Sequence, residues 1–149
     1  MATIRKRENG KWQVIVRRLG HKRLSKTFNS KQAAVTWSRK TESEMDRGVW
    51  QDATAATTTT LGSLLDRYEE EILPSKRSQQ AIRSQICLIK KKLSAIPLSA
   101  LTPAILSEYR DYRLMTVSSQ TARHELSLIQ RALNVAIRDW GIHLPQGNP

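Results

Sequence analysis

The sequence predicts an α+β protein: a small three-stranded antiparallel sheet packed by one helix, followed by an all-α bundle of four helices. Three observations carry this expectation. An Asn-Gly dipeptide separates two strand-like runs near the N-terminus, a threonine-rich low-complexity stretch follows at residues 52–60, and beyond it apolar residues recur at helical spacings.

Residues 1–51 form the first expected unit. Asn9-Gly10 predicts a type I′ hairpin between residues 4–7 and the alternating run at 12–17. A second turn is expected at Gly20-His21 and a third strand over 23–28. Ser30 is placed to N-cap a helix that Gly48 stops, with Ala33, Trp37 and Met45 in its apolar stripe.

The period of two divides this sheet. Ile4, Trp12, Val14, Val16, Leu24 and Phe28 fall on one face, which the helix must cover to give the sheet a core. The opposite face collects Arg5, Arg7, Gln13, Ile15, Arg17, Arg23, Ser25 and Thr27. Guanidinium groups fork onto guanine, a glutamine amide onto adenine, and an exposed Ile touches a thymine methyl, while Ser and Thr serve phosphates or bases. An open sheet face is ordinarily just solvated. This one holds four Arg and no acid, which favours double-stranded DNA as its partner.

The stretch DATAATTTT at residues 52–60 has no periodicity and no large apolar side chain, and reads as an exposed linker. Residues 61–149 read as helical. Thr60 is the expected N-cap of a helix burying Leu61, Leu64, Leu65, Tyr68 and Ile72 and stopping at Pro74. A second, from about Ser78 to Ser94, carries Ile82, Ile86, Ile89 and Leu93 on one stripe. Thr102-Pro103 is an N-cap and N1 pair for a third, with Ile105, Tyr109 and Tyr112 along one side. Ala122, Leu126, Ile129, Leu133, Ala136 and Trp140 trace the fourth, ended by Gly141.

Charge follows the same division. The chain has 149 residues, 25 Lys and Arg against 13 Asp and Glu, and a formal charge of +12, so polyanions attract it. Ten basic residues against Glu8 alone occupy residues 1–31; beyond residue 60 there are twelve basic and eight acidic, so the electrostatic pull concentrates in the first unit. No amphipathic helix with aromatic anchors lies beside the basic residues and no apolar run approaches spanning length, so no membrane partner is expected. MATIRKRENG lacks the apolar run of a secretory signal, and Cys87 alone forms no internal disulfide, which fits a reducing bacterial cytoplasm.

The order of parts now carries a resemblance. The segment from Ser119 to Ile129 (SQTARHELSLI), then Ala132-Leu133-Asn134-Val135-Ala136, the Trp140-Gly141 close, and the segment from Lys26 to Ala34 (KTFNSKQAA) resemble phage integrases of the tyrosine recombinase family. The likeness covers essentially the whole chain and is most specific in those two segments. It implies that residues 1–51 are an arm-type DNA-binding domain whose sheet enters the major groove, and that residues 61–149 are a SAM-like core-type DNA-binding domain. The open sheet face supplies the implied arm-site readers. Arg83, Lys90 and Lys91 on the second helix and Ser119, Gln120 and Arg123 at the start of the fourth are the candidates for core contacts, where helix N–H groups also meet phosphate. Gly147-Asn148-Pro149 resembles the point where the family's catalytic domain begins, so the Arg, Lys, His-x-x-Arg and nucleophilic Tyr of strand cleavage are expected beyond it. The chain itself is expected to be a binder in DNA integration and recombination, with other integrase protomers as further partners on DNA and no cofactor.

Other residues attract chemistry less well. Tyr68, Tyr109 and Tyr112 lie on apolar stripes and read as core rather than nucleophiles. His124-Glu125 begins a zinc-protease pattern that Leu128 breaks, and three scattered His with one Cys leave no metal-ligand spacing. Cys87 reads as a small packed residue, the run Lys90-Lys91-Lys92 as a helix end suited to its dipole, and Glu69-Glu70-Glu71 as solvated. No glycine-rich phosphate loop occurs. Two alternatives stay open: a free-standing regulator that occupies DNA sites without cutting, and an RNA-binding accessory protein. The second lacks its usual sign, since Trp12 and Phe28 fall on the inner face.

Overall fold

Alternation on a central strand organises the N-terminal part of the molecule, seen in a computed structural model that describes residues Met1–Pro149. Strands β1 (Ala2–Lys6), β2 (Trp12–Val16) and β3 (Leu24–Phe28) form an antiparallel meander in the order β1-β2-β3. Val14 lies opposite Ile4 and Lys26, and Val16 opposite Ala2 and Leu24. Helix α1 (Lys31–Asp46) covers that face, burying Ala34, Ser38, Thr41 and Met45 against Val14 and Val16, with Ile4, Trp12, Leu24, Phe28, Trp37 and Trp50 packed around them. The stripe is therefore offset from the expected one. Ala33 is exposed because it stands one residue, about 100° of helix, from Ala34. Ser30 caps α1 by accepting from the Ala33 N–H at 3.2 Å.

The first hairpin turns differently from the type I′ geometry expected. Asn9 does not adopt a positive φ; Gly10 does, at 76°. The Gly10 N–H donates to the Arg7 carbonyl at 3.0 Å and the Arg7 N–H to the Lys11 carbonyl at 2.7 Å. This is a type I turn over Arg7–Gly10 closed by a left-handed glycine, the three-residue hairpin with a bulge. The Asn9 carboxamide oxygen accepts from the Lys11 N–H at 3.2 Å, which holds Asn9 in the local turn.

The chain divides into two compact units, Met1–Gln51 and Asp52–Pro149. The stretch expected as an exposed linker is part of the second. Thr54–Thr58 forms the short helix α2, and Ala56 is fully buried in the helical core. Its small side chain lets the helix sit on the 3₁₀ turn at Leu98–Ala100, and the Leu98 N–H donates to the Thr59 carbonyl at 2.9 Å.

Helices α3 (Leu61–Glu71), α4 (Gln79–Leu93), α5 (Pro103–Leu114) and α6 (Ser119–Arg138) complete the unit. The two expected caps are present, Thr60 in a reciprocal box with Ser63 and Thr102 accepting from Ile105; Ser118 caps α6 by accepting from Thr121, whereas Ser78 makes no side-chain cap bond at the start of α4. Ile82, Ile86, Ile89 and Leu93 are all buried, as are Ile129, Leu133 and Ala136 on α6, the helix that packs on α3, α4 and α5. Gly62 is required by close approach: a Cβ there would stand 2.9 Å from both the carbonyl oxygen and Cβ of Ser94. After α6 the chain folds back, burying Ile142 and Leu144.

One buried polar group was not anticipated. Glu125, with no exposed surface, accepts the Tyr109 hydroxyl at 2.7 Å and a two-pronged Arg113 guanidinium at 2.9 and 2.8 Å. Both donors come from α5, one helical turn apart, so the carboxylate fastens α5 to the start of α6. Burial, then the bond to Glu125, pushes the Tyr109 phenol above its usual range, and the same carboxylate raises Arg113.

Two expected core residues lie outside. Tyr112 is 49% exposed, its ring under the Lys92 ammonium at 4.5 Å, because only Tyr109 of the α5 aromatics faces the bundle. Cys87 is exposed, since it follows Ile86 by one position and leaves the buried stripe.

Removing one partner of a buried, hydrogen-bonded ion pair strands the other, so Arg113→Ala lowers unfolding stability by about 3–5 kcal/mol in chemical denaturation. Tyr109→Phe deletes one donor and costs about 1–3 kcal/mol. Because the native phenol is harder to ionise than the unfolded one, the folded state holds more protons above the unfolded Tyr value of about 10, so stability falls as pH rises beyond that point. Urea midpoints across that range show a shallower alkaline decline in Tyr109→Phe.

Candidate nucleic-acid interface

The face that α1 leaves open is built from the alternate residues of the same strands. Arg5, Gln13 and Thr27 form one cross-strand row, and Thr3, Ile15 and Ser25 the next. Arg17 continues the face beyond Val16, and its N–H donates to the Met1 carbonyl at 3.4 Å, which extends the β1–β2 pairing by one residue. Arg5, Arg7, Arg17, Arg23, Ser25 and Thr27 are exposed. Within the N-terminal unit none of the four Arg forms an ion pair, whereas Arg18 is bound to Asp46 at 2.5 Å.

Three side chains on this face are joined. Arg7 Nε donates to Gln13 Oε1 at 3.2 Å, and Gln13 Nε2 donates to Ser25 Oγ at 2.9 Å. The network fixes which way the amide points. It leaves one Nε2 hydrogen and an Oε1 lone pair free, the donor and acceptor that adenine requires in the major groove.

Ile15 corrects an expectation. It stands on the open face, yet it is only 8% exposed, because it occupies the centre of the middle strand between Thr3 and Ser25. A side chain so covered is a platform beneath the polar groups and presents little surface to a thymine methyl. Thr3 belongs to the same face and was missed; extending the alternation two residues before Arg5 finds it.

In the helical unit the candidates separate into two places. Arg83, Lys90 and Lys91 line one shallow depression on α4, together with Glu69 and Cys87. Two of those charges are engaged: Arg83 pairs with Glu69 at 3.1 Å and Lys90 pairs with Asp66. Ser119, Gln120 and Arg123 are exposed on the first turns of α6 and do not line that depression. Ser118 takes the Thr121 N–H, leaving the N–H groups of Ser119 and Gln120 at the positive end of the longest helix.

The acidic run on α3 is less free than expected. Glu69 holds Arg83, and Glu71 accepts from Arg67 at 2.7 Å and from Trp140 Nε1 at 2.8 Å. The Arg67 bond holds the Glu71 carboxyl below its usual range, and the Arg67 guanidinium also lies 4.2 Å from the Trp140 ring centre. Tyr68 and Tyr109 are enclosed in the core. No helix is long and apolar enough to cross a membrane.

Over 142 residues, 94% of the chain, the sequence is 32% identical to a Haemophilus influenzae protein named "Putative integrase/recombinase". The chain spans 37% of that relative's length. No family model and no solved structure matches the chain.

Proposed function

We propose that this chain is the DNA-holding portion of a phage-type tyrosine integrase, and that it binds double-stranded DNA by sequence while the strand-cleaving residues lie elsewhere in the parent protein. The carrying observation is the open sheet face. It presents four Arg that form no ion pair within the N-terminal unit around a hydrogen-bonded Gln13, on a sheet whose other face is the core. Arg is the commonest specific reader of guanine, and Gln pairs with adenine. The relative's name agrees with a role in DNA integration and recombination.

On this reading residues 1–51 are the arm-site reader. Arg5, Arg7, Gln13, Arg17 and Arg23 contact bases and phosphates, and Thr3, Ser25 and Thr27 supply hydroxyls beside them. The helical unit grips the core site through the start of α6, with Ser119, Gln120 and Arg123, and through Lys91, the unpaired member of the α4 group. Arg83 and Lys90 contribute less there, because Glu69 and Asp66 already offset their charge. Other copies of the integrase are the expected neighbours on the same DNA.

The test is selection of bound duplexes from a random DNA pool at near-physiological salt. Enrichment of one short motif supports the reading; enrichment of none, or stronger retention of single-stranded RNA, overturns it. Against the selected duplex, Arg17→Ala and Arg23→Ala weaken binding without loss of fold. Each lost phosphate contact also flattens the slope of log affinity against log salt by about 0.9. Unchanged affinity in both variants removes the sheet face from the interface.

A further inference from the structure

The connection between β2 and β3 reads Arg17-Arg18-Leu19-Gly20-His21-Lys22-Arg23, and its apex is apolar. Leu19 is fully exposed, more so than any other large apolar side chain of the protein. The backbone that carries it forms a closed turn. The His21 N–H donates to the Arg18 carbonyl at 3.1 Å, and Gly20 has φ +81° while Leu19 does not have a positive φ. That combination is a type II turn with Leu19 at its leading corner and Gly at the position that demands it. The residues on either side are pinned to the body of the unit: Arg18 by Asp46 at 2.5 Å, and His21 by the edge of Trp50 at 5.6 Å between ring centres.

A side chain of this kind gains nothing from the fold. Its surroundings are basic: Arg18 is paired with Asp46, but Arg17, Lys22 and Arg23 flank the turn and none of them forms an ion pair within the unit. A protein partner would meet that charge with carboxylates. Nucleic acid meets it with phosphates and offers apolar surface only between them, in a groove.

Geometry selects the groove. From Gln13 to Arg17 a strand advances about 13 Å, already the roughly 12 Å width of a major groove. For strands that cross the groove, a tip beyond Arg17 passes over the phosphate backbone and reaches the minor groove on its far side. Apolar wedges set among Arg and Lys are a recurrent means of minor-groove contact.

We propose that the β2–β3 tip is a second DNA contact, in which Leu19 enters the minor groove flanking the site read by the sheet while Arg17, Lys22 and Arg23 hold the phosphates it crosses. The proposal rests on the reading of the sheet face as a DNA reader, and it adds an element that the face alone does not require.

The experiment compares the full chain with Leu19→Ala, Lys22→Ala and Gln13→Ala on the selected duplex, by affinity at several salt concentrations and by hydroxyl-radical footprinting, which reports on the minor groove. Leu19→Ala is expected to keep its melting temperature and to weaken binding about fivefold to tenfold, as suits the partial burial of one leucine. Its salt slope stays that of the unmodified chain, because no charge is removed, and protection is lost from the flanking minor groove only. Lys22→Ala flattens the slope by about 0.9. Wild-type affinity and footprint in Leu19→Ala, with Gln13→Ala still impaired, overturn the tip and leave the face intact. Wild-type behaviour in both Leu19→Ala and Gln13→Ala removes the face and the tip together. A Leu19→Ala defect confined to binding by several copies at once makes the leucine a protein contact and overturns the proposal.

Discussion

A three-stranded sheet has two faces, and the N-terminal unit has one helix with which to cover them. The period of two in β2 sends Val14 and Val16 to α1 and sends Gln13, Ile15 and Arg17 away from it. No second apolar layer closes over that other side, so its residues must be stable in water. They are: guanidinium, amide and hydroxyl groups surround an Ile that its neighbours shield. The open face, proposed above as the DNA reader, is thus what remains when the core has taken every alternate position.

The helical unit rests on a different kind of constraint. Its apolar stripes specify that α6 packs against α3, α4 and α5, but apolar contact alone tolerates sliding. Glu125 removes that freedom. A carboxylate without solvent must keep Tyr109 and Arg113 at bonding distance, and only one setting of α5 against α6 does so. The first two turns of α6, which carry Ser119, Gln120 and Arg123, are held in place by the bonds that Glu125 makes on the same stretch of helix.

How much of this was legible in the sequence depended on the range of the interaction. Caps are local, and Ser30, Thr60 and Thr102 could be read directly, as could the strand parity on which both sheet faces depend. Turn type was not, because Asn9-Gly10 serves two hairpins that differ in one residue of loop, and backbone pairing across the strands decides between them. Helix α2 was hidden by composition: Thr and Ala give no stripe, and the burial of Ala56 depends on a 3₁₀ turn some forty residues later. Tyr112 and Cys87 were misplaced by a single step around their helices. The Glu125 clamp joins residues 16 and 12 apart on two helices, and a lone Glu among apolar neighbours carries no mark of it. Leu19 carries no sequence signal, because an apolar residue in a loop has no period to betray it.

The bonds among Arg7, Gln13 and Ser25 bear on how such a protein changes over generations. If the proposed reading of the face holds and the three side chains were independent, a lineage could alter the DNA preference of that face one substitution at a time. Here Arg7 and Ser25 hold the two ends of the Gln13 amide, so replacing either removes one of the bonds that orient it. On the proposed reading, drift toward a new target favours paired or triple replacements. The core behind them, carried on the alternate residues, takes no part in that traffic.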